Sequence, residues 1–196
     1  MVVVEAVPKL LLLYLSLHKM SEINLKEYVT SIPDFPKPGI IFRDITTLIQ
    51  APEAFTEACR KLTEAVRELK PDIIAAPEAR AFLFAAPMAI ELQCGLALIR
   101  KPNKLPRKVI SQTYDLEYGS NTLNMHVDAL KPGSRVLVID DLLATGGTVD
   151  ACRKLVEKVG GKVIGFGFVL ELSSECKGRE FLKSQCDAEV FSVIEY

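Results

Sequence analysis

The chain has 196 residues, a formal net charge of -1, a hydrophobic share of 49% and 25% charged residues. This is enough chain for one α/β domain with a full core, and the small charge argues against general affinity for nucleic acid or an anionic membrane. Five cysteines form no C-x-x-C pair and no metal-ligand spacing. We therefore expect no protein-bound structural metal, and reduced thiols in a cytoplasmic setting.

The first 19 residues differ from the rest of the chain. They contain an apolar run at 10–17 that is too short to span a bilayer, and they lack the clear basic start and cleavage site of a secretory signal. We expect residues 1–19 to be an extension of unknown role, and residues 20–196 to form the domain. Membrane attachment is a minor alternative.

Hydrophobic spacing predicts the elements after Met20. Helical spacing covers 21–32, and prolines then interrupt regular structure up to Gly39. Further helices are predicted at 52–69, 81–93, 147–159 and 178–182, and strands at 72–76, 96–99, 109–113, 123–127, 135–139, 162–172 and 187–194. The alternation predicts an α/β fold, a mostly parallel sheet flanked by helices, with right-handed crossovers. The strands within 109–127, joined by a long excursion, would form a lid hairpin.

Three stretches carry candidate site residues whose meaning is open from composition alone. The proline-rich loop at 33–44 presents Ile41 and Phe42, either as a flat apolar slot or as an ordinary surface loop. Arg80 opposes the dipole at the start of a helix, so it points to a bound anion or to an ion pair with Glu78. The basic run at 100–108 is a solvated face or a counter-charge for a polyphosphate.

The most informative stretch is 135–148, where an apolar strand ends in Asp140 and Asp141 and a glycine loop leads into a helix. Glycines let the backbone approach a ligand closely, and N–H groups at a helix N-terminus bind phosphate. The carboxylates suit hydroxyl groups, because like charges would repel phosphate. Together these groups predict a site for a sugar phosphate such as ribose 5-phosphate. The alternative is a plain strand-loop-helix turn capped by Asp. The predicted phosphate and ribose ligands are Asp140, Asp141, Ala144, Thr145, Gly146, Gly147 and Thr148.

This stretch resembles the phosphoribosyl-pyrophosphate (PRPP) loop of the type I phosphoribosyltransferases, in the form found in adenine phosphoribosyltransferases. The resemblance covers nearly the whole chain from about Ser21. It implies an enzyme that joins adenine to PRPP and gives AMP and pyrophosphate, with Mg²⁺ bound through PRPP. It also implies a homodimer. Two alternatives remain, a PRPP-sensing regulator without catalysis and a phosphoribosyltransferase for a 6-oxopurine.

The resemblance also implies roles for single residues. Residues 33–50 would form a small hood over the base, with the backbone of Ile41 and Arg43 reading adenine, Phe42 stacking on its ring and Leu142 closing the other face. The loop at 77–84 resembles the pyrophosphate loop, with Ala76, Ala81 and Ala85 where glycine is usual and Pro77 as an uncommon neighbour. Pyrophosphate would meet Arg80, Arg100, Lys101 and Lys104, of which Arg80 also serves catalysis and one or more of the others could reach a neighbouring subunit's site. Glu117 would be the catalytic acid-base group on the flexible lid, beside Tyr118.

Overall fold

A computed structural model of the protein describes residues 23–115 and 120–196. The chain divides into one unit that ends at Glu57 and a second unit, Ala58–Tyr196, and each is described by itself. The predicted extension at 1–19 and the lid residues Glu117 and Tyr118 lie outside the described residues.

The described part of the first unit is built on a two-stranded antiparallel sheet. A 3-10 helix, Leu25–Tyr28, precedes β1 (Thr30–Pro33), which pairs with β2 (Ile41–Asp44); α1 (Thr46–Gln50) follows. The Asp44 side chain starts α1 by accepting hydrogen bonds from the backbone N–H of Thr46 at 2.9 Å and from its hydroxyl at 2.8 Å.

The predicted helix over 21–32 is wrong beyond Tyr28. Residues Thr30–Pro33 are extended because their backbone groups pair with Ile41–Asp44, a partner that helical spacing cannot reveal. β-branched residues and a terminal proline also favour the extended form over a helix.

The second unit contains a five-stranded, wholly parallel sheet flanked by helices. The predicted α/β class is therefore confirmed. Helix α2 (Pro52–Val66) begins in the first unit and ends in the second. In chain order there follow β3 (Ile73–Pro77), α3 (Ala81–Leu92), β4 (Gly95–Ile99), β5 (Val109–Asp115), β6 (Ser120–His126), β7 (Arg135–Leu143), α4 (Gly147–Lys158), β8 (Lys162–Glu171), α5 (Gly178–Gln185) and β9 (Glu189–Glu195). The strand order in the sheet is β4-β3-β7-β8-β9.

Strands β5 and β6 form a separate antiparallel hairpin, in register from Val109 opposite His126 to Asp115 opposite Ser120. The predicted long excursion between them is wrong, because the strands continue past the alternating apolar positions. Their pairing is made by backbone groups, so it extends into polar sequence. The hydroxyls of Thr113 and Thr122 lie 3.0 Å apart across the hairpin and support this polar part.

The central strand β7 sets the position of the site. It lies between β3 and β8, and Val136 through Asp141 are all buried, as expected for an interior parallel strand. Side chains of β7, α4 and the hairpin form the core around it. A ligand site in such a sheet lies beyond the carboxyl ends of the central strands. In the part of the chain that the structure describes, no helix has the length and apolar character needed to cross a membrane.

Candidate functional site

A cavity of about 290 Å³ opens at the carboxyl end of β7. Two strand-to-helix loops line it, one after β3 and one after β7, and all their residues belong to the second unit. The lining residues are Pro77, Glu78, Ala79, Arg80, Asp140, Asp141, Leu142, Ala144, Thr145, Gly146, Gly147, Thr148 and Val149. The structure thus brings every predicted ribose and phosphate ligand together with Arg80 and Leu142.

The turn between β7 and α4 has the backbone form of an anion site. Gly146 has a φ of +87°, a conformation that residues with a Cβ rarely adopt. It is the N-cap of α4 and, being a glycine, has no side chain of its own that could cap the helix. The N–H groups of the first helical turn are therefore left to face the cavity, where an anion would satisfy them.

The two acids at the end of β7 have different surroundings. The Asp140 side chain accepts a hydrogen bond from the backbone N–H of Asp141 at 2.8 Å, and both residues are buried. Burial raises the pKa of Asp140 well above its usual range, and the negative charge of Asp141 raises it further. Asp141 has a cationic partner, because its Oδ2 lies 2.6 Å from the Nε of Arg80.

The predicted ion pair of Arg80 with Glu78 is wrong. Its ion-pair partner is Asp141, in strand β7. Glu78 pairs instead with Arg100, Oε2 to Nε, at 2.6 Å. Burial opposes ionisation of Glu78, but hydrogen bonds from Arg100 and from the backbone of Lys101 outweigh it and lower the pKa of Glu78. The Glu78–Arg100 ion pair therefore attaches the loop after β3, the candidate pyrophosphate loop, to the end of β4.

The basic run at 100–108 does not line the cavity. The Arg100 guanidinium is used on Glu78 and on the carbonyl oxygen of Lys104, at 3.2 Å from Nη1. The side chains of Lys101 and Lys104 are exposed to solvent. Within this run Arg100 therefore has a structural contact with Glu78, and Lys101 and Lys104 form a solvated cationic surface.

The candidate base-binding residues Ile41, Phe42 and Arg43 occupy β2 in the first unit. The Phe42 ring meets Phe35 edge to face, with centroids 5.2 Å apart. The Arg43 side chain donates to the Ser31 hydroxyl at 2.6 Å, across the β1–β2 pair. Within the described residues β2 pairs only with β1, so its other edge presents backbone N–H and C=O groups.

Sequence reasoning missed two contacts of the β7–α4 loop. The Thr148 hydroxyl donates to the Tyr114 hydroxyl of β5 at 3.1 Å, which links the hairpin to the loop. Gly178, the first residue of α5, packs directly behind the carbonyl of Ala144. Neither contact has a local sequence signal, since each joins residues some thirty positions apart.

Comparison with known proteins points to one family. The family model described as phosphoribosyl transferase domain matches residues 46–195. The adenine phosphoribosyltransferase of Lactobacillus delbrueckii subsp. bulgaricus is 50% identical over 174 residues, which is 89% of this chain and 97% of the relative.

Two solved structures show the same likeness. The crystal structure of adenine phosphoribosyltransferase from Thermoanaerobacter pseudethanolicus has a TM-score of 0.83 at 45% identity, covering 88% of this chain and 98% of that one. The Saccharomyces cerevisiae enzyme, complexed with an imino-altritol bisphosphate and adenine, has a TM-score of 0.77 at 36% identity, covering 86% and 96%. The family model and these relatives together show that this chain belongs to the adenine phosphoribosyltransferases of the type I phosphoribosyltransferase family.

Proposed function

We infer that this protein is an enzyme that transfers the 5-phosphoribosyl group of PRPP to adenine, releasing AMP and pyrophosphate, as in purine salvage. The observation that carries this inference is the cavity at the end of β7, where two buried carboxylates stand beside an uncapped helix N-terminus. These groups match ribose hydroxyls and a 5-phosphate. The Lactobacillus relative is named for this activity, and the yeast enzyme was crystallised with adenine and a sugar bisphosphate analogue.

Asp140 and Asp141 accept hydrogen bonds from the ribose hydroxyls in this proposal. The loop from Ala144 to Thr148 binds the 5-phosphate with backbone N–H groups and the hydroxyls of Thr145 and Thr148. Both ends of the phosphoribosyl group are then fixed on one rigid strand end. Fixing the electrophile in this way lowers the entropic part of the barrier.

Arg80 is proposed to have one role in the ligand-free protein and another during the reaction. It neutralises Asp141 in the structure, at 2.6 Å, yet its side chain is 41% exposed and so has room to move. We propose that ribose hydroxyls take its place on Asp141 and that the guanidinium then binds the pyrophosphate. A cation placed on the leaving group stabilises the charge that develops as the C–O bond breaks.

The exposed Lys101 and Lys104 add further positive charge for pyrophosphate in this proposal, in this subunit or a neighbouring one. Arg100 contributes in a different way, because its guanidinium holds Glu78 in the neighbouring loop. The loop that carries Arg80 is thereby tied to the residue that follows β4.

The hood at 33–50 is proposed to bind the base. In this proposal the main-chain N–H and C=O groups of β2 at Ile41 and Arg43 meet the edge of adenine, and Phe42 offers a ring for stacking. Leu142 is proposed to contact the other face of the base. It lines the cavity of the second unit.

Glu117 is proposed as the acid-base group that takes the proton from the purine ring, an effect worth roughly 10²–10⁴ in rate. Tyr118 would lie beside it on the lid. The hydrogen bond between Thr148 and Tyr114 supports a lid in this place, since β5 leads directly to residues 116–119.

Magnesium is proposed to enter with PRPP. Searching the described residues finds no group of three or more His, Cys, Asp or Glu side chains that could hold a metal. The donors fit an ion bound mainly by substrate oxygens, which is the usual manner of Mg²⁺ with phosphates. Among the described residues, the carboxylates that line the cavity are those of Glu78, Asp140 and Asp141. When bound, it would supply positive charge at the pyrophosphate.

A cytoplasmic homodimer completes the proposal. All five cysteines are free, which suits a reducing compartment. Two neighbouring elements expose apolar side chains that a second copy of the chain would cover. These are Leu83 and Ile90 on α3, and Leu96 and Leu98 on the edge strand β4.

The test is an assay of PRPP with each purine base, with and without Mg²⁺, following nucleotide formation. We expect AMP from adenine, dependent on Mg²⁺. PRPP binding without any nucleotide formed would favour a PRPP-sensing regulator, and product from hypoxanthine or guanine in preference to adenine would favour a 6-oxopurine enzyme.

A further inference from the structure

The first turn of α5 lies directly behind the β7–α4 loop. A Cβ built on Gly178 would lie 2.2 Å from the carbonyl oxygen of Ala144 and 2.7 Å from a methyl of Leu143. A Cβ built on Gly146 would lie 2.9 Å from the Phe181 ring and 3.2 Å from the Gly178 carbonyl oxygen. The backbones of the loop and of the helix therefore touch with no side chain between them, so a shift of α5 would shift the loop.

An ion pair between the half-buried Arg179 and the buried Glu171 holds this turn of α5. The Arg179 guanidinium forms a two-pronged contact with Glu171, with Nε at 2.9 Å from Oε1 and Nη2 on Oε2. Its Nη1 donates to the carbonyl oxygen of Val190 in β9 at 2.7 Å. The second carboxylate oxygen of Glu171 also accepts from the Ser192 hydroxyl. Arg179 thus ties α5 to the ends of both β8 and β9.

Glu171 also stands beside the strand that enters the loop. It is the register partner of Leu143, the last residue of β7, and it is only 3% exposed. One buried carboxylate is therefore attached to the strand before the loop by the sheet, and to the helix behind the loop by Arg179.

Stability alone is a weak reason for such a pair. Burial opposes ionisation of Glu171, and the hydrogen bonds from Arg179 and Ser192 are needed to outweigh it and lower the pKa of Glu171. An ion pair with one buried partner is often no more stabilising than well-packed apolar residues of the same size, so its contribution to structure lies in fixing geometry. The planar guanidinium fork fixes the orientation of both partners.

We propose that Glu171 and Arg179 are positioning residues of the phosphate loop. They hold Gly178 in contact with the Ala144 carbonyl, and this contact orients the N–H groups of the loop toward the 5-phosphate. This inference rests on the proposed function, since it assigns the 5-phosphate to that loop.

The test compares four variants with the parent protein. Arg179→Met removes the fork and keeps an apolar stem, Arg179→Lys keeps the charge without the fork, Glu171→Gln keeps the volume without the charge, and Gly178→Ala adds one methyl against Ala144. The matched control is Arg135→Met. Arg135 is the first residue of β7, at the end of the strand away from the loop, and its Nη2 likewise donates to a backbone carbonyl, that of Leu69, at 2.6 Å.

The readouts are the Kd of ribose 5-phosphate by calorimetry, the KM of PRPP and of adenine, and the urea midpoint of each variant. We expect Arg179→Met and Gly178→Ala to raise the Kd and the KM of PRPP by roughly 10–100-fold, as for an ångström-scale misplacement. The KM of adenine should stay within about twofold, with partial recovery in Arg179→Lys. Arg135→Met should lower the urea midpoint and leave the Kd unchanged.

Parent-like Kd values in folded Arg179→Met and Gly178→Ala would overturn the proposal. If Arg179→Met does not fold, Gly178→Ala and Glu171→Gln decide it by the same readouts. A parent protein that binds ribose 5-phosphate but forms no AMP would overturn the proposed activity alone, and the variants would still test the positioning role. A parent that binds no ribose 5-phosphate would overturn both.

Discussion

At the scale of single residues, the two neighbouring aspartates of the site have different electrostatic surroundings. Asp140 and Asp141 are adjacent and equally buried, but only Asp141 has Arg80 as an ion-pair partner at 2.6 Å. Burial and the charge of Asp141 raise the pKa of Asp140. Asp140 is therefore costly to ionise in the folded protein, and a hydroxyl-bearing ligand would relieve that cost.

We predict that Asp140→Asn raises the Tm of the ligand-free protein at pH 7 and weakens PRPP binding by roughly 10–100-fold, the range for hydrogen bonds to a charged group. The sign follows from the raised folded-state pKa of Asp140. A raised pKa means that ionisation destabilises the fold progressively above the unfolded pKa of about 4. The gain in Tm should therefore vanish as the pH is lowered toward that value.

Differential scanning calorimetry across pH measures this effect. Asp150→Asn is the matched control, since Asp150 is also buried but pairs with Arg153 at 2.7 Å and with Lys154 at 2.8 Å. Breaking that pair should lower the Tm at pH 7. A fall in Tm for Asp140→Asn together with unchanged PRPP affinity would make Asp140 a structural residue.

A second residue-scale prediction concerns Glu117. Replacing it with Gln keeps the shape and removes the base, so we expect kcat to fall by roughly 10²–10⁴ while the Kd of PRPP stays nearly unchanged. Steady-state kinetics and calorimetry give the two numbers. Glu189→Gln, which removes an exposed carboxylate at the start of β9, should leave both unchanged. Parent-like turnover in Glu117→Gln would remove this residue from the mechanism.

At the scale of elements, the edge of β2 is the feature that would select the base. A strand edge offers donors and acceptors in a fixed order, because its backbone is held by β1 through pairs from Thr30 opposite Asp44 to Pro33 opposite Ile41. Adenine presents a 6-amino donor and an N1 acceptor, and 6-oxopurines reverse that pattern. A main-chain edge cannot rotate its groups to suit both.

We predict that adenine is preferred over hypoxanthine and guanine by a factor of about 10² or more in kcat/KM, since each mismatched buried polar group costs about 1–3 kcal/mol. Competition assays at limiting PRPP measure the ratio. Because the backbone would do the reading, Ile41→Val should preserve the preference, and it serves as the control. Comparable kcat/KM values for adenine and hypoxanthine would contradict readout by the strand edge.

At the scale of the whole molecule, the exposed apolar side chains of α3 and β4 are the feature that points to self-association. Ile90 is 80% exposed, and Leu83 lies seven residues earlier on the same helix, so the two share one face. Leu96 and Leu98 alternate onto one face of an edge strand. Contiguous apolar surface of this kind usually marks an interface.

We predict a homodimer in solution and its dissociation by Ile90→Lys, because a lysine at the centre of an apolar interface would bury an unpaired charge. Light scattering across a concentration series measures the mass. Glu180→Lys, at an exposed position of α5, should leave the parent mass unchanged. A parent that is monomeric at all concentrations would refute the dimer, and a dimeric Ile90→Lys would place the interface elsewhere.

The sequence by itself determined the class of fold and the centre of the site. Apolar periodicity located most helices and strands of the second unit, and Asp140, Asp141 and the glycine loop located the cavity at the end of β7. These features are local, since a buried strand, its terminal acids and the turn after it are encoded within some fifteen consecutive residues.

Only the tertiary structure decided the partners of those residues. It paired Arg80 with Asp141 and Glu78 with Arg100, made residues 30–33 a strand, and placed Gly178 behind Ala144. Each of these contacts depends on segments that are distant in sequence and are brought together by sheet order and packing. Charge, spacing and propensity are properties of a segment, whereas a partner is a property of the fold.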